Sequence, residues 1–184
     1  MRKLHLPPPV LLCAVALVLA LRPGFATVEE TDEVARLHRS GSSAQAVQLA
    51  DKILAVRPKD AQMKFLKGVV LAESQRPAEA IDVFQELTED FPELAEPYNN
   101  LATLHAARGD YERARIALEQ ALRSNPSYAT ALENLGDLHG MLASRAYARA
   151  MALDPANPRL PPKLALVRDL LTARRGTPSH AVPQ

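Results

Sequence analysis

His105 and His139 stand 34 residues apart. On stacked helices that offset would bring two imidazoles to about 8–10 Å, and paired imidazoles invite a metal ion. A zinc site needs further ligands at close quarters, and none accompanies the pair, so both histidines are expected to serve packing. Arg108-Gly109-Asp110 spells an adhesion tripeptide, yet a glycine followed by an aspartate is also what a helix-to-helix turn requires, and a structural turn is expected. Asn125-Pro126-Ser127 has the outline of a glycosylation acceptor and is excluded by its central proline. Cys13 is the single cysteine. The chain contains no Gly-x-Ser-x-Gly elbow, no HExxH and no glycine-rich phosphate loop, so neither an enzyme nor a cofactor is expected. An unrecognised hydrolase stays open as an alternative.

The residues around Cys13 say where the chain goes. Arg2 and Lys3 precede an unbroken apolar run, Val10 to Leu21, and Gly24-Phe25-Ala26 supplies the small residues that a signal peptidase needs. Residues 1–26 are expected to be a signal peptide cut after Ala26, with Val18-Leu19-Ala20 as the rival site and an uncleaved anchor as the alternative. The run is shorter than the ~20 apolar residues of a spanning helix, so no stable membrane insertion is expected once the signal is removed. Leu12 is a poor neighbour for a lipidated Cys13. Without its leader the chain has no cysteine, and its 22 basic residues fall to 19 against 21 acidic ones. A net charge of −2 on those numbers offers nucleic acid no basic surface.

Groups that do no chemistry of their own must be there to be positioned, and the prolines show how. Pro58, Pro92 and Pro126 lie 34 residues apart and each ends a helix-like stretch. Aromatic residues make up 4% and tryptophan is absent, which suits closely packed helices better than β faces. A period of this length marks stacked helix-turn-helix units, each dependent on its neighbours for burial. Setting the prolines near the unit ends divides the chain into repeats at 27–60, 61–94 and 95–128. In the third, Tyr98, Leu101, Ala102 and His105 form one helical stripe, Gly109 and Asp110 turn the chain, and Ala114, Leu118 and Ala121 face back.

These residues resemble the tetratricopeptide repeat (TPR) family. Tyr98, Leu101, Ala102, Ala114, Leu118, Ala121 and Pro126 match its signature positions, and His105 stands where an aromatic is usual. Repeat two shows Gly68, Ala80, Phe84 and Pro92, and repeat one Leu37, Gly41, Ala46 and Pro58. The resemblance implies an all-α, right-handed solenoid whose inner groove, lined mainly by the first helix of each repeat, binds a segment of another protein. The stretch from Glu133 to Asp154 is also similar to the last repeat of small secreted proteobacterial TPR proteins, which implies the periplasm of a Gram-negative bacterium.

The fourth unit, 129–157, is five residues short, and the missing five are the turn. Leu132, Leu135, His139, Leu142, Ala146, Ala150 and Leu153 then make one continuous stripe, which favours a single fused helix of about 24 residues. Gly140 as a helix stop and Ser144 as a cap would favour two helices instead. Residues 158–175 place Leu160, Leu164, Val167 and Leu171 on one face, as a terminal capping helix requires. Residues 176–184 are expected to be a disordered tail.

Carried over position by position, the resemblance places Val28, Thr31, Ala35, His38 and Arg39 in the groove, then Gln62, Phe65, Val69, Ala72 and Glu73. Glu96, Asn99, Thr103, Ala106 and Ala107 follow, then Thr130, Glu133 and Asp137. Four carboxylates against one arginine make a mildly acidic, partly apolar trough, suited to a partly basic and apolar peptide with Phe65 as anchor. Family members that hold a carboxylate-ended peptide use Lys, Arg and Asn where this chain has Thr31, Ala35, Leu66 and Glu96, with Asn100 the one match. The expected function is a non-catalytic adaptor or scaffold of the cell envelope, the alternative a membrane-attached assembly factor.

Overall fold

The computed structural model describes residues 27–173. The expected signal peptide, the tail and the last two residues of the expected capping helix lie outside the described residues. Among the described residues eight helices follow one another: α1 (Val28–Arg39), α2 (Ser43–Val56), α3 (Ala61–Glu73), α4 (Pro77–Asp90), α5 (Ala95–Ala107), α6 (Tyr111–Ser124), α7 (Ala129–Leu153) and α8 (Leu160–Ala173). Each packs on the next, and α1 also meets α3, as α5 meets α7. The result is a row of stacked hairpins.

Local chemistry sets the boundaries. The residue before each period-marking proline, Arg57, Phe91 or Asn125, is driven out of helical geometry, with ψ of 71°, 71° and 94°. Each still donates its backbone N–H to the carbonyl four residues back, at Ile53, Leu87 or Ala121, which closes the helix. At the other ends the Asp60 carboxylate accepts from the Met63 N–H at 2.9 Å and that of Asp110 from the Arg113 N–H at 3.3 Å. Thr27 and Glu30 form a reciprocal capping box at the start of α1.

The turn inside each hairpin uses one left-handed residue, again at the 34-residue period: Gly41 at φ 81°, Gln75 at φ 58° and Gly109 at φ 76°. One period beyond Gly109 the chain carries Ala143, a strong helix former, and there it stays helical. α7 is therefore one unbroken helix of 25 residues, about 37 Å long. Gly140 stops nothing: it is a buried mid-helix residue, and a Cβ on it would lie 3.2 Å from Leu171 Cδ2 of α8. Its missing side chain is the seat for the last helix.

The buried face of α7 differs from the expected stripe. Ala131 and Leu138 are buried, whereas Leu132 is 51% and Leu153 80% exposed, and His139 and Ala146 are also exposed. The stripe is rotated by about one residue, because α7 beds on both α5 and α6 at its start and receives α8 further on. α8 buries Leu164, with Leu160, Val167 and Leu171 half-buried. Its outer face is less polar than a cap needs, since Leu166 and Leu170 stand exposed.

Phe84 of α4 is the largest fully buried side chain, and its ring fits against α3 because residue 68 is glycine. A Cβ there would come within 2.6 Å of the ring. Ion pairs join neighbouring helices on the outside: Lys67 to Asp51 at 2.6 Å, Lys64 to Asp90 at 2.6 Å, and Arg57 to Glu30. The Arg57 guanidinium also faces the fully buried Asp60. Among the described residues no helix is long and apolar enough to cross a membrane.

Candidate protein-binding groove

The groove candidates lie on α1, α3, α5 and the first half of α7. Hydrogen bonds tie these helices together in two places, each between residues 35 apart. His38 Nε2 meets Glu73 Oε2 at 2.6 Å between α1 and α3, and Asn134 Nδ2 donates to Asn99 Oδ1 at 2.8 Å between α5 and α7. His38 Nδ1 is in turn 2.9 Å from Ser43 Oγ. Glu73 is thus engaged by a neighbour, and Asn99, 8% exposed, joins two helices.

Other candidates are turned back onto their own helices. The Thr31 hydroxyl donates to the Val28 carbonyl at 2.9 Å and that of Thr103 to the Asn99 carbonyl at 3.1 Å. Asn100 Nδ2 donates to the Glu96 carbonyl at 2.9 Å. Phe65 is half-buried, its ring centroid 5.7 Å from that of Phe84, so much of its surface already belongs to the core. Val69 and Ala72 pack against the same core, while Gln62, Arg39, Val28 and Thr130 are exposed and Ala35 is half-buried.

Glu96 and Glu133 are exposed, and neither is ion-paired among the described residues. Asp137 is half-buried one turn beyond Glu133. The Glu96 charge reaches Tyr128, whose phenol is pushed up first by burial and then by that carboxylate.

A recess opens beside two of these helices. It holds about 210 Å³ and lies between α5, α6 and α7. Ala102, Ala114, Leu118 and Leu138 form its buried floor, and Thr103, Ala106, Ala107, Asn134 and Met141 its rim. Three rim residues were candidates from the sequence. Asn134 and Met141 were not, although Asn134 repeats Asn100 one period on and could have been found that way. The recess is lined by methyl, isobutyl and thioether groups, with the Thr103 hydroxyl and the Asn134 amide at its edge.

Of the two histidines expected to serve packing, one does and one does not. His105 is 7% exposed within α5, while His139 lies on the exposed side of α7. Among the described residues no three His, Cys, Asp or Glu side chains gather as a metal site. Arg108-Gly109-Asp110 is the turn between α5 and α6, closed by Gly109 and capped by Asp110.

Two family models, both described as tetratricopeptide repeat, match residues 36–95 and 71–136. A curated relative from Pseudomonas aeruginosa, named a probable biofilm formation methyltransferase WspC, is 32% identical over 102 residues, which are 55% of this chain and 24% of that protein. The chain thus spans about a quarter of that relative's length. Among solved structures, MamA superposes with a TM-score of 0.57 at 20% identity, covering 77% of this chain and 86% of its own. The first TPR of Spaghetti (RPAP3), solved bound to an HSP90 peptide, superposes with a TM-score of 0.58 at 15% identity, covering 62% of this chain and 91% of its own.

Proposed function

The chain belongs to the tetratricopeptide repeat family, and from that premise we propose that it is a non-catalytic adaptor that holds a segment of another protein along α1, α3, α5 and the start of α7. The observation that carries this is the apolar recess between α5, α6 and α7, on helices that also carry the exposed carboxylates Glu96 and Glu133. Such a surface favours a segment that pairs apolar with basic residues. The bound peptide of the RPAP3 structure supports a peptide as the kind of ligand. That peptide, SRMEEVD, has three acidic side chains against one arginine and would be repelled by this chain's carboxylates, so the partner's charge is the opposite one. The methyltransferase activity in the name of the Pseudomonas relative is said of a protein four times longer than the match, and no residue of the recess could supply it.

The adaptor works in the periplasm of a Gram-negative bacterium, in the manner of small secreted proteobacterial relatives. This rests on the leader-like residues 1–26 and on a remaining sequence free of cysteine. A chain that acts there should begin at Thr27. Intact-mass analysis of protein recovered from the envelope tests this, and a chain retaining Met1 would overturn it. Cross-linking capture from periplasmic extract tests the groove: the native chain should retain a partner that the Glu96→Lys, Glu133→Lys variant loses while remaining fully helical by circular dichroism. Equal capture by both chains would place the interface elsewhere.

A further inference from the structure

The recess has a cause that can be read one repeat earlier. Subtracting 34 converts Ala102 and Leu118 into Gly68 and Phe84. In repeat two the fully buried Phe84 ring fills the space that Gly68 leaves. In repeat three the same two places hold a methyl and an isobutyl group. The methyl gained at 102 does not replace the ring lost at 118, and the first half of α7 brings Leu138 and Met141 to the opposite wall. A vacancy of about 210 Å³ results, open on the groove side through exposed Thr103 and Ala107.

We infer that this recess is the chain's specificity pocket, taking one leucine- or methionine-sized side chain from a partner segment whose neighbouring residues are basic. The inference rests on the adaptor reading above and refines it: the anchor belongs to the partner and enters between α5, α6 and α7, whereas Phe65 is spent against Phe84. Size and charge set the chemistry. An apolar cavity of about 150 Å³ accommodates benzene, so this one admits a branched or thioether side chain with room for its β-carbon. Glu96 lies two turns before Thr103 on the same side of α5, and Glu133 about two turns before Met141 on α7, so exposed carboxylates stand further along the helices that bound the recess. A lysine or arginine on either side of the anchor would meet them, and an acidic neighbour would be repelled.

The test uses the isotope-labelled chain and five synthetic heptapeptides, Ser-Lys-Gly-X-Gly-Lys-Ser, with X as Leu, Met, Phe, Ala or Ser, titrated to millimolar concentration by amide chemical shifts. The leucine and methionine peptides should bind about tenfold tighter than the serine peptide, from burial of one apolar side chain. Their shifts should centre on Thr103, Asn134 and Met141. Ala106→Leu fills the recess from its rim and should erase the preference for X while leaving weak binding of every peptide. Ala107→Met is the second filling variant, at an exposed position that tolerates a longer side chain, and should act alike. Glu96→Lys with Glu133→Lys should instead weaken all five peptides equally. A preference for X that survives both filling variants overturns the pocket and leaves the groove reading standing. Absence of binding by all five overturns both. An unlabelled peptide of residues 174–184 that displaces the leucine peptide at equal concentration would make the chain's own terminus the occupant, and would overturn a partner segment.

Discussion

At the scale of single residues, the 34-residue period exposes one position that departs from its equivalents. Gly41 and Gly109 take the left-handed turn conformation freely, but Gln75 takes it with a side chain attached. That conformation costs a non-glycine residue about 1 kcal/mol or more. Gln75→Gly should therefore stabilise the chain by roughly 1 kcal/mol, less a few tenths for the entropy glycine adds to the unfolded state, as read from urea unfolding. His105 makes a second residue-level case. Burial pushes its pKa down, Asp110 opposes this, and Arg113 and Arg108 add to it. The unfolded chain's histidine titrates near ~6.5, so above that pH both states are neutral and the full stability is present. As pH falls below it the unfolded state takes up the proton first, and stability drops until the folded state is protonated too. Between pH 7 and 5 the urea midpoint of the native chain should fall more steeply than that of His105→Phe. Parallel slopes would show that the imidazole is not buried in its neutral form. Carboxylates held low by ion pairs, such as Asp90 beside Lys64, act in a lower window.

At the scale of elements, α7 decides the shape of the C-terminal half, and its two inner glycines do different things. Gly136 has nothing within 4 Å of the place a Cβ would occupy. Gly136→Ala should stabilise the helix by up to about 1 kcal/mol, since glycine is the poorer helix former and nothing opposes the methyl group. Gly140 is the seat of α8, and a leucine there would collide with Leu171 and Leu170. Gly140→Leu should release α8 while α1 to α6 stay intact, seen as protease cleavage between residues 154 and 173 that the native chain resists. Resistance equal to the native chain would mean that α8 is held by something other than its contact with α7.

At the scale of the whole molecule, a stack of hairpins holds each unit only through its neighbours, so stability is expected to vary along the row. The middle is held best: Phe84, Leu87, Met63, Leu71 and Leu118 are all buried within α3, α4 and α6. α8 fully buries Leu164 alone among its described side chains and leans mainly on α7. Amide exchange should therefore be slowest in α3 to α6 and fastest in α8, with α7 graded along its length. A uniform rate across all eight helices would show a single cooperative unit instead. The recess between α5, α6 and α7 sits where the better-buried centre passes into the looser end, so exchange is expected to be slower at its floor than at its α7 wall.

The period, the helix ends and the hairpin turns were legible in the sequence because each is decided by a residue's own backbone chemistry. Proline displaces the residue before it, aspartate caps a nearby N–H, and glycine takes positive φ. Those rules hold before any packing occurs, which is why Pro58, Pro92, Pro126, Asp110 and Gly109 were read correctly one at a time. The fusion of α7 was legible for the same reason, as a turn that had been deleted. What only the tertiary structure decided was which side of each helix faces inward and what space is left over. Leu132 and Leu138 are the same residue type six apart on one helix, and only the direction from which α5, α6 and α8 approach exposes the first and buries the second. Phe65 could not be known as half-committed until Gly68 let Phe84 reach it. The recess itself is a difference of volumes among side chains from three helices, a quantity that belongs to the packed assembly and to no segment of the sequence.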